Sequence, residues 1–506
     1  MEKKKVGFLG WVEKVGNKLP HPGTIFLILC GILAVVSALL AANGVSVTYT
    51  GFDRTTNQIA EMTAPVKSLL NAEGIQYMLT SAVKNFGGFA PLAVVLVAMM
   101  GVGIAEGSGL IGVSLSKLVQ STPPKLITIV VVFAGVMSSI ASDAGYVVLV
   151  PLGAVIFLSF GRHPMAGLAA AFAGVSGGFS ANLLAGPVDA LLSAVSTEAA
   201  HIIDPTVFVG MTDNWYFIAA STVILTIVGT LVTEKIVEPR LGEYKGKAVE
   251  KIEKITRDQK KGLEYSAIAI VIYLIIIGVM VIPQDGILRG ENGAILTSPF
   301  MSSIEIIISL FFAVAGIAYG VGSKTIKSDK DVMSLMSKTM ETMGSYIVLV
   351  FFAAQFVSWF SYTNVGTVIA VNGANFLTSI GLTGVWLIIG FIFITAFINL
   401  FMGSASAKWA IMAPVFIPML MQLGYHPALI QMAYRIGDSS TNIISPLMSY
   451  FALIVAFSQN YDEESGIGTL MSTMMPYSIC FLITWAIVLV AWFYLGLPLG
   501  PGVLIK

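Results

Sequence analysis

Five charged residues interrupt stretches that are otherwise apolar: Asp143, Asp189, Lys408, Arg435 and Asp438. A charge among so many apolar neighbours is costly to bury and marks a candidate functional position. Arg435 and Asp438 stand three residues apart and share a face if the segment is helical, which suits an ion pair. Arg435 alone is suited to another task, since its planar, permanently charged guanidinium grips a carboxylate bidentately. Asp189 has no basic neighbour in sequence. It can act as a proton carrier if burial neutralises it, or accept hydrogen bonds from a polar substrate.

Other groups near these charges widen the range of chemistry. Asp438, Asn442, Asn399 and the Gly403–Ser404 backbone supply the oxygens that a hard cation such as Na⁺ takes as ligands. Trp409, between Lys408 and Pro414, offers a face on which an aromatic substrate could stack. Asn182, in a Gly- and Ser-rich stretch before Asp189, adds a polar side chain to the substrate candidates. His163 and His426 each precede a proline at the end of an apolar run, and His21 lies between two prolines. With no second histidine near any of them, they read as loop or capping residues, not metal ligands. The sequence has no P-loop, HExxH helix or GxSxG elbow. Hydrolase, ATPase and nucleic-acid readings therefore lack support.

Composition explains what must position these groups. The chain has 506 residues, 56% hydrophobic and 11% charged, with a mean hydropathy of +0.86. A soluble domain carries about 25% charged residues, so the expected body is a polytopic membrane protein. Its length suits about ten spans of ~20 residues each. The 28 basic and 28 acidic residues balance, so no polyanionic partner is implied. The two cysteines, Cys30 and Cys480, lie inside apolar runs, which excludes a disulfide framework or a cysteine zinc cluster.

Nearly charge-free segments fall at about 24–43, 89–105, 126–141, 145–160, 216–233, 265–283, 306–319, 346–360, 383–401, 407–422 and 478–497. Two further stretches, 164–190 and 427–457, carry Gly, Pro, Ser, Asn and Asp and read as re-entrant hairpins. Unwound backbone at membrane depth needs a cavity or a protein environment. Glycines alone would serve tight helix packing equally well. Combined with the Asp, Arg and Asn clusters, they point to a site.

Orientation follows from the basic residues. Lys3, Lys4, Lys5, Lys14 and Lys18 flank an amphipathic face of Phe8, Trp11, Val12 and Val15, which reads as an interfacial helix and not a cleavable signal. The 235–262 segment is rich in Lys and Arg, whereas 44–85 holds only Arg54, Lys67 and Lys84. The N-terminus and 235–262 are accordingly expected in the cytoplasm, and 44–85 outside. The 320–340 loop, with Lys324, Lys327, Lys330 and Lys338, falls inside by the same parity.

Sliding the chain by 263 positions aligns the two polar-interrupted regions. Pro151, Gly161, His163, Pro164, Ala170, Gly174 and Ser176 meet Pro414, Gly424, His426, Pro427, Ala433, Gly437 and Ser439. Tyr146 meets Trp409, and a short slip brings Ser180-Ala181-Asn182 beside Ser440-Thr441-Asn442. Lys408 and Asp143 fall near equivalent points, which makes them a candidate pair between the copies. The position of Asp438 is Val175 in the first copy, so a cation site belongs to the second half. The copies enter from opposite faces, the inverted-repeat plan of secondary transporters. The expected division is 1–23 amphipathic, 24–85 first span and external segment, 86–233 first repeat and 234–264 cytoplasmic linker. Scaffold spans at 265–342, a second repeat at 343–475 and a C-terminal span at 476–506 complete it.

Three motifs carry a family resemblance. Gly16-Asn-Lys-Leu-Pro-His-Pro22, the hairpin ending Ala185-Gly-Pro-Val-Asp189, and Arg435-Ile-Gly-Asp-Ser-Ser-Thr-Asn-Ile-Ile-Ser-Pro446 resemble the AbgT family of p-aminobenzoyl-glutamate transporters over essentially the whole chain. The resemblance implies an all-α, bowl-shaped homodimer in the cell (inner) membrane. Each protomer would have about nine transmembrane helices and two re-entrant hairpins. It implies ion-coupled carriage of p-aminobenzoyl-glutamate or sulfonamide antimetabolites, with Na⁺ or H⁺ as the coupling ion and no other cofactor. Its substrate positions match Asp189, Trp409, Pro427, Arg435 and Asp438, with Ser406 nearby, and its Na⁺ position matches Asn399, Gly403 and Asp438. Pro427 rests on the resemblance alone. A dicarboxylate or amino-acid carrier of related fold is the main rival, and a channel a more distant one.

Overall fold

The structure is a computed structural model that describes all residues except 1–19, 21, 54–57, 142–144, 245, 247–254, 296–297, 449 and 506. The amphipathic segment with Lys3 to Val15, His21 and Asp143 lie outside the described residues. Seven helices in the described chain are long and apolar enough to cross a membrane: Gly23–Ala42, Ala72–Gly107, Trp215–Leu241, Arg257–Val281, Ile304–Ser323, Gly344–Tyr362 and Ile467–Leu495. Each satisfies its own backbone hydrogen bonds, which a lipid environment requires.

Four segments expected as single spans are instead shorter helices. Ile127–Met137 gives way at Ser138–Ala141, and Val150–Ser159 follows a π-helical turn at Gly145–Leu149. Val385–Asn399 likewise ends before an unwound stretch, and Ala405–Met421 begins beyond it. The serines and glycine in these breaks compete with helical hydrogen bonding, so two broken helices stand where four plain spans were expected.

Both polar stretches fold as helical hairpins too short to span. The first comprises Pro164–Phe172, a π-helical turn Ala173–Gly177, an unwound tip, and Pro187–Ala200. The second comprises Pro427–Asn442, a turn, and Phe451–Gln459. At 1.5 Å per residue, their legs reach about 14–24 Å against a hydrocarbon core of ~30 Å. The same start signal opens both. Pro164 and Pro427 take the first helical position, where a missing N–H costs nothing. His163 and His426 cap the helices, each Nδ1 accepting a backbone N–H, from Met165 and Ala428 respectively, at 3.2 Å.

Glycine lets each hairpin settle onto its broken helix. A Cβ at Gly174 would fall 2.4 Å from the Val132 carbonyl, and one at Gly437 would fall 2.4 Å from that of Ile392. These two positions are 263 apart. Every residue of Pro164–Phe172 and of Pro427–Asn442 is buried, so the broken backbone is sheltered by protein. In contrast, Arg257–Val281 buries only Gly262 and Ser266 and packs mainly along Ile304–Ser323. Those helices present an apolar outer face suited to lipid.

The segment between the first two of the seven long helices holds a two-stranded ribbon. Ser46–Asp53 and Gln58–Pro65 pair antiparallel, and Ala72–Gly87 is an amphipathic helix. Val47 and Tyr49 supply the β-favouring residues. This ribbon docks where Lys67 N donates to the Thr363 carbonyl and Asn364 Nδ2 to the Pro65 carbonyl.

Candidate functional site

The two hairpins meet at their polar ends. Ser180 N donates to Ser439 Oγ at 3.1 Å. Asp189 and Arg435 form an ion pair across the same junction, Oδ1 to Nη2 at 2.6 Å. Asp438 pairs with Lys408, Oδ1 to Nζ at 2.5 Å. The i, i+3 pair Arg435–Asp438 does not form. A long side chain on a helix leans toward the helix N-terminus, so the guanidinium reaches back from Asp438 toward the other hairpin. Lys408 was expected opposite Asp143, which lies outside the described residues; among the described residues its partner is Asp438.

All four charges are buried, with exposures of 4% for Asp189, 0% for Lys408, 2% for Arg435 and 1% for Asp438. They sum to zero. Asp189 is held twice: at the third position of Pro187–Ala200 its Oδ2 also accepts the Gly186 N–H at 2.7 Å. That is an N-terminal cap, and the helix dipole favours the carboxylate there. Arg435 is less saturated, for its Nε and Nη1 have no hydrogen-bond partner. Buried donors left unpaired are costly.

The remaining predicted residues divide between the cavity and the wall behind it. A cavity of about 290 Å³ is lined by Tyr146, Val188, Gly403, Ser406 and Asn442, among others. It borders Val188, next in sequence to Asp189; none of the four charges is among its lining residues. Trp409 is fully buried and packs on Tyr434, ring centroids 4.3 Å apart. Its Nε1 donates to Ser196 Oγ at 3.1 Å. Asn182 Nδ2 donates to Ser139 Oγ at 2.8 Å, tying the first hairpin tip to the first helix break. Pro427 sits at the opening of its helix, eight residues and thus about 12 Å along the axis from Arg435. The structure does not bring it to the charge cluster.

The expected Na⁺ residues are partly assembled. Asn399 and Asp438 lie together, but their side-chain oxygens Oδ1 both face Lys408 Nζ. Gly403 is packed against the backbone of Leu447. As arranged, Oδ1 of Asn399 and Oδ1 of Asp438 are both engaged by the Lys408 ammonium. Among the described residues, no three His, Cys, Asp or Glu side chains cluster as a metal site.

A polar chain escaped the sequence reading. Ser196 Oγ donates to Gln431 Oε1 at 2.7 Å, Gln431 Nε2 donates to Asn214 Oδ1 at 3.1 Å, and Asn214 Nδ2 donates to the Ala428 carbonyl at 2.9 Å. It links Trp409 to both hairpins. The available signal was Gln431 itself, a lone amide among Pro427-Ala-Leu-Ile and Met432-Ala.

Comparison with known proteins agrees with this architecture. The model of the AbgT putative transporter family matches residues 7–506. The p-aminobenzoyl-glutamate transport protein of Escherichia coli K12 is 43% identical over 495 residues, covering 98% of this chain and 96% of that protein. The crystal structure of the Alcanivorax borkumensis YdaH transporter superposes with a TM-score of 0.89 at 46% identity, over 95% of this chain and all of the other. Neisseria gonorrhoeae MtrF, described with a class of antimetabolite efflux pumps, superposes with a TM-score of 0.92 at 50% identity, over 98% of this chain and 99% of the other. With its broken helices, its paired hairpins and likeness along its whole length, the chain belongs to the AbgT family and is a multi-pass membrane transporter of small molecules, not an enzyme.

Proposed function

We propose that the protein is an ion-coupled secondary transporter that moves p-aminobenzoyl-glutamate, sulfonamide-type antimetabolites, or both, by alternating access. The observation that carries this reading is the half-satisfied guanidinium of Arg435, buried where the two hairpins touch. A solute carboxylate supplies an acceptor to Nε or to Nη1, and becomes bidentate by also taking Nη2, which Asp189 now holds. It also competes with Asp189 for the guanidinium. Binding therefore loosens the Asp189–Arg435 ion pair that ties hairpin to hairpin, which gives the solute a differential effect on the two conformations. Asp189, once released, can accept hydrogen bonds from the solute's amide or amine. Ser406 and Asn442 line the adjoining cavity, and an aromatic solute would reach Trp409 only after Tyr434 or the hairpin moves aside.

The relatives support the substrate class. The E. coli protein is named for p-aminobenzoyl-glutamate transport, and MtrF for antimetabolite efflux. The matching caps and glycines of the hairpins support an internal repeat, and the basic loops favour a cytoplasmic N-terminus. The exposed scaffold helices offer a surface for a homodimer. An ion gradient, Na⁺ or H⁺, supplies the drive.

The test is uptake of radiolabelled p-aminobenzoyl-glutamate into proteoliposomes under imposed Na⁺ and pH gradients, applied separately. Saturable uptake driven by one gradient and lost in Asp189→Ala and Arg435→Ala is expected. Uptake retained in Arg435→Ala would overturn the site. Flux linear in concentration would indicate a channel, and saturable dicarboxylate exchange a carrier of another specificity.

A further inference from the structure

We infer that the ammonium of Lys408 is itself the cation of the Asn399–Asp438 cage, so that the second hairpin docks on a tethered charge and the site takes no Na⁺ while Lys408 is in place. The inference concerns the residues expected to bind Na⁺ and stands apart from the identity of the solute.

The first argument is donor and acceptor count. A lysine ammonium has three N–H donors and no acceptor. Three oxygens surround Lys408 Nζ: Asp438 Oδ1 at 2.5 Å, Asn399 Oδ1 in a short hydrogen bond, and the Met402 carbonyl at 3.4 Å. These are the carboxylate, amide and carbonyl oxygens that a hard cation would take. The Tyr434 ring lies 5.8 Å from Nζ and adds a cation–π contact.

The second argument is orientation. The two N–H groups of Asn399 Nδ2 are shared among the Asp438 carbonyl at 2.6 Å, Thr441 Oγ1 at 2.9 Å and Asn442 Oδ1 at 2.9 Å. With its nitrogen among three acceptors, the amide must turn its oxygen toward Lys408. Asn442 is thereby engaged as well, and the Asn399 carbonyl accepts from Ser445 Oγ at 3.0 Å. The side-chain amide oxygens of Asn399 and Asn442, Oδ1 of Asp438 and the Asn399 carbonyl thus each already accept a partner.

The third argument is charge. Asp189 and Asp438 balance Arg435 and Lys408, all buried. A free cation entering this arrangement would leave an uncompensated positive charge in a low-dielectric interior. Nor does the helix explain the lysine: Lys408 stands near the N-terminus of Ala405–Met421, where the dipole disfavours a cation. Asp438, from the other element, is what holds it there. Lys408 therefore acts as a latch that joins the second helix break to the second hairpin.

The experiment measures Na⁺ binding directly on the full-length protein in detergent, by thermal unfolding in NaCl against choline chloride at equal ionic strength and by equilibrium binding of radiolabelled Na⁺. The wild type is expected to unfold at the same temperature in both salts and to show no saturable Na⁺ binding. Lys408→Met is expected to gain Na⁺-dependent stabilisation that rises with concentration, as linkage requires. Lys408→Met/Asp438→Asn should lose that gain. Saturable Na⁺ binding or Na⁺-dependent stabilisation of the wild type overturns the inference. A folded Lys408→Met protein indifferent to Na⁺ overturns it too, since the cage would then hold no cation. If Lys408→Met does not fold, the wild-type measurements decide alone. None of these readings uses transport, so failure of the proposed substrate leaves them unchanged.

Discussion

The two hairpins begin alike and end differently. Both start with a histidine cap and a proline, and both rest a glycine on the carbonyl of a broken helix. Beyond that glycine they diverge. The first passes into a π-helical turn and unwinds after Gly177, and its carboxylates, Asp189 and Glu198, come only on the returning leg. The second stays α-helical to Asn442 and carries Arg435 and Asp438 on that continuous helix. Their tips are fastened differently as well: Asn182 to Ser139, and Asn442 to Asn399 within the Lys408 network. The shared features set where each hairpin docks, and the differences set what each contributes. The first hairpin presents an acceptor on a helix N-terminus, while the second presents the charges that bind to it and to the scaffold of the site.

The strongest way to break this division is to remove the charge that joins the halves. Arg435→Ala should abolish saturable transport and destabilise the fold by about 3–5 kcal/mol, because it strands Asp189 in the interior. Thermal unfolding and proteoliposome uptake measure the two effects. Asp189→Asn should also abolish transport, and a double-mutant cycle with Arg435→Lys should show coupling, which independent hairpins would lack.

The next largest effect tests the shared part. Gly174→Ala and Gly437→Ala each force a methyl group against a backbone carbonyl, so each should cost about 1–3 kcal/mol of stability. Similar losses support equivalent docking, whereas sensitivity at one position alone would break the equivalence. A smaller contrast separates the tips. Asn442→Ala should destabilise more than Asn182→Ala, with losses of about 1–3 kcal/mol expected for buried partners left unsatisfied.

The smallest effect concerns the caps. Burial lowers the pKa of both His163 and His426, and only His163 has carboxylates, Glu238 and Asp462, pulling it back up. Both act as acceptors when neutral. For a base depressed in the folded state, the unfolded chain takes up protons more readily, so the stabilisation holds above the ordinary histidine value and is lost as pH falls through the folded value. Acidification below about pH 6.5 should therefore weaken both caps, at a scale of ~1 kcal/mol each. His426→Ala should flatten the pH dependence of thermal unfolding more than His163→Ala does.

Much of the site could be read without coordinates. Asp189, Lys408, Arg435 and Asp438 were visible because a charge in an apolar run has few bland explanations. The hairpins were visible because glycine, proline and asparagine cluster where a span should be uniform. Their partners were not. Residue spacing suggested Arg435 with Asp438, but spacing describes one helix, and the direction in which a long side chain leans decides whether i and i+3 meet. The ribbon Ser46–Pro65 went unread because two short strands in a polar segment give a weak signal. Gln431 was overlooked because a single amide has meaning only beside Ser196 and Asn214.

By itself, the sequence determined the membrane environment, the two broken regions, the helix starts and the charged residues that could not be incidental. Those properties follow from composition and local spacing, which the chain carries with it into any fold. Only the tertiary structure decided which charge neutralises which, that Lys408 occupies the oxygens expected to hold Na⁺, and that Trp409 is packed against Tyr434 behind the cavity wall. Electrostatic pairing in a low-dielectric interior depends on distances of a few ångströms between groups that are far apart in sequence, and folding alone sets those distances.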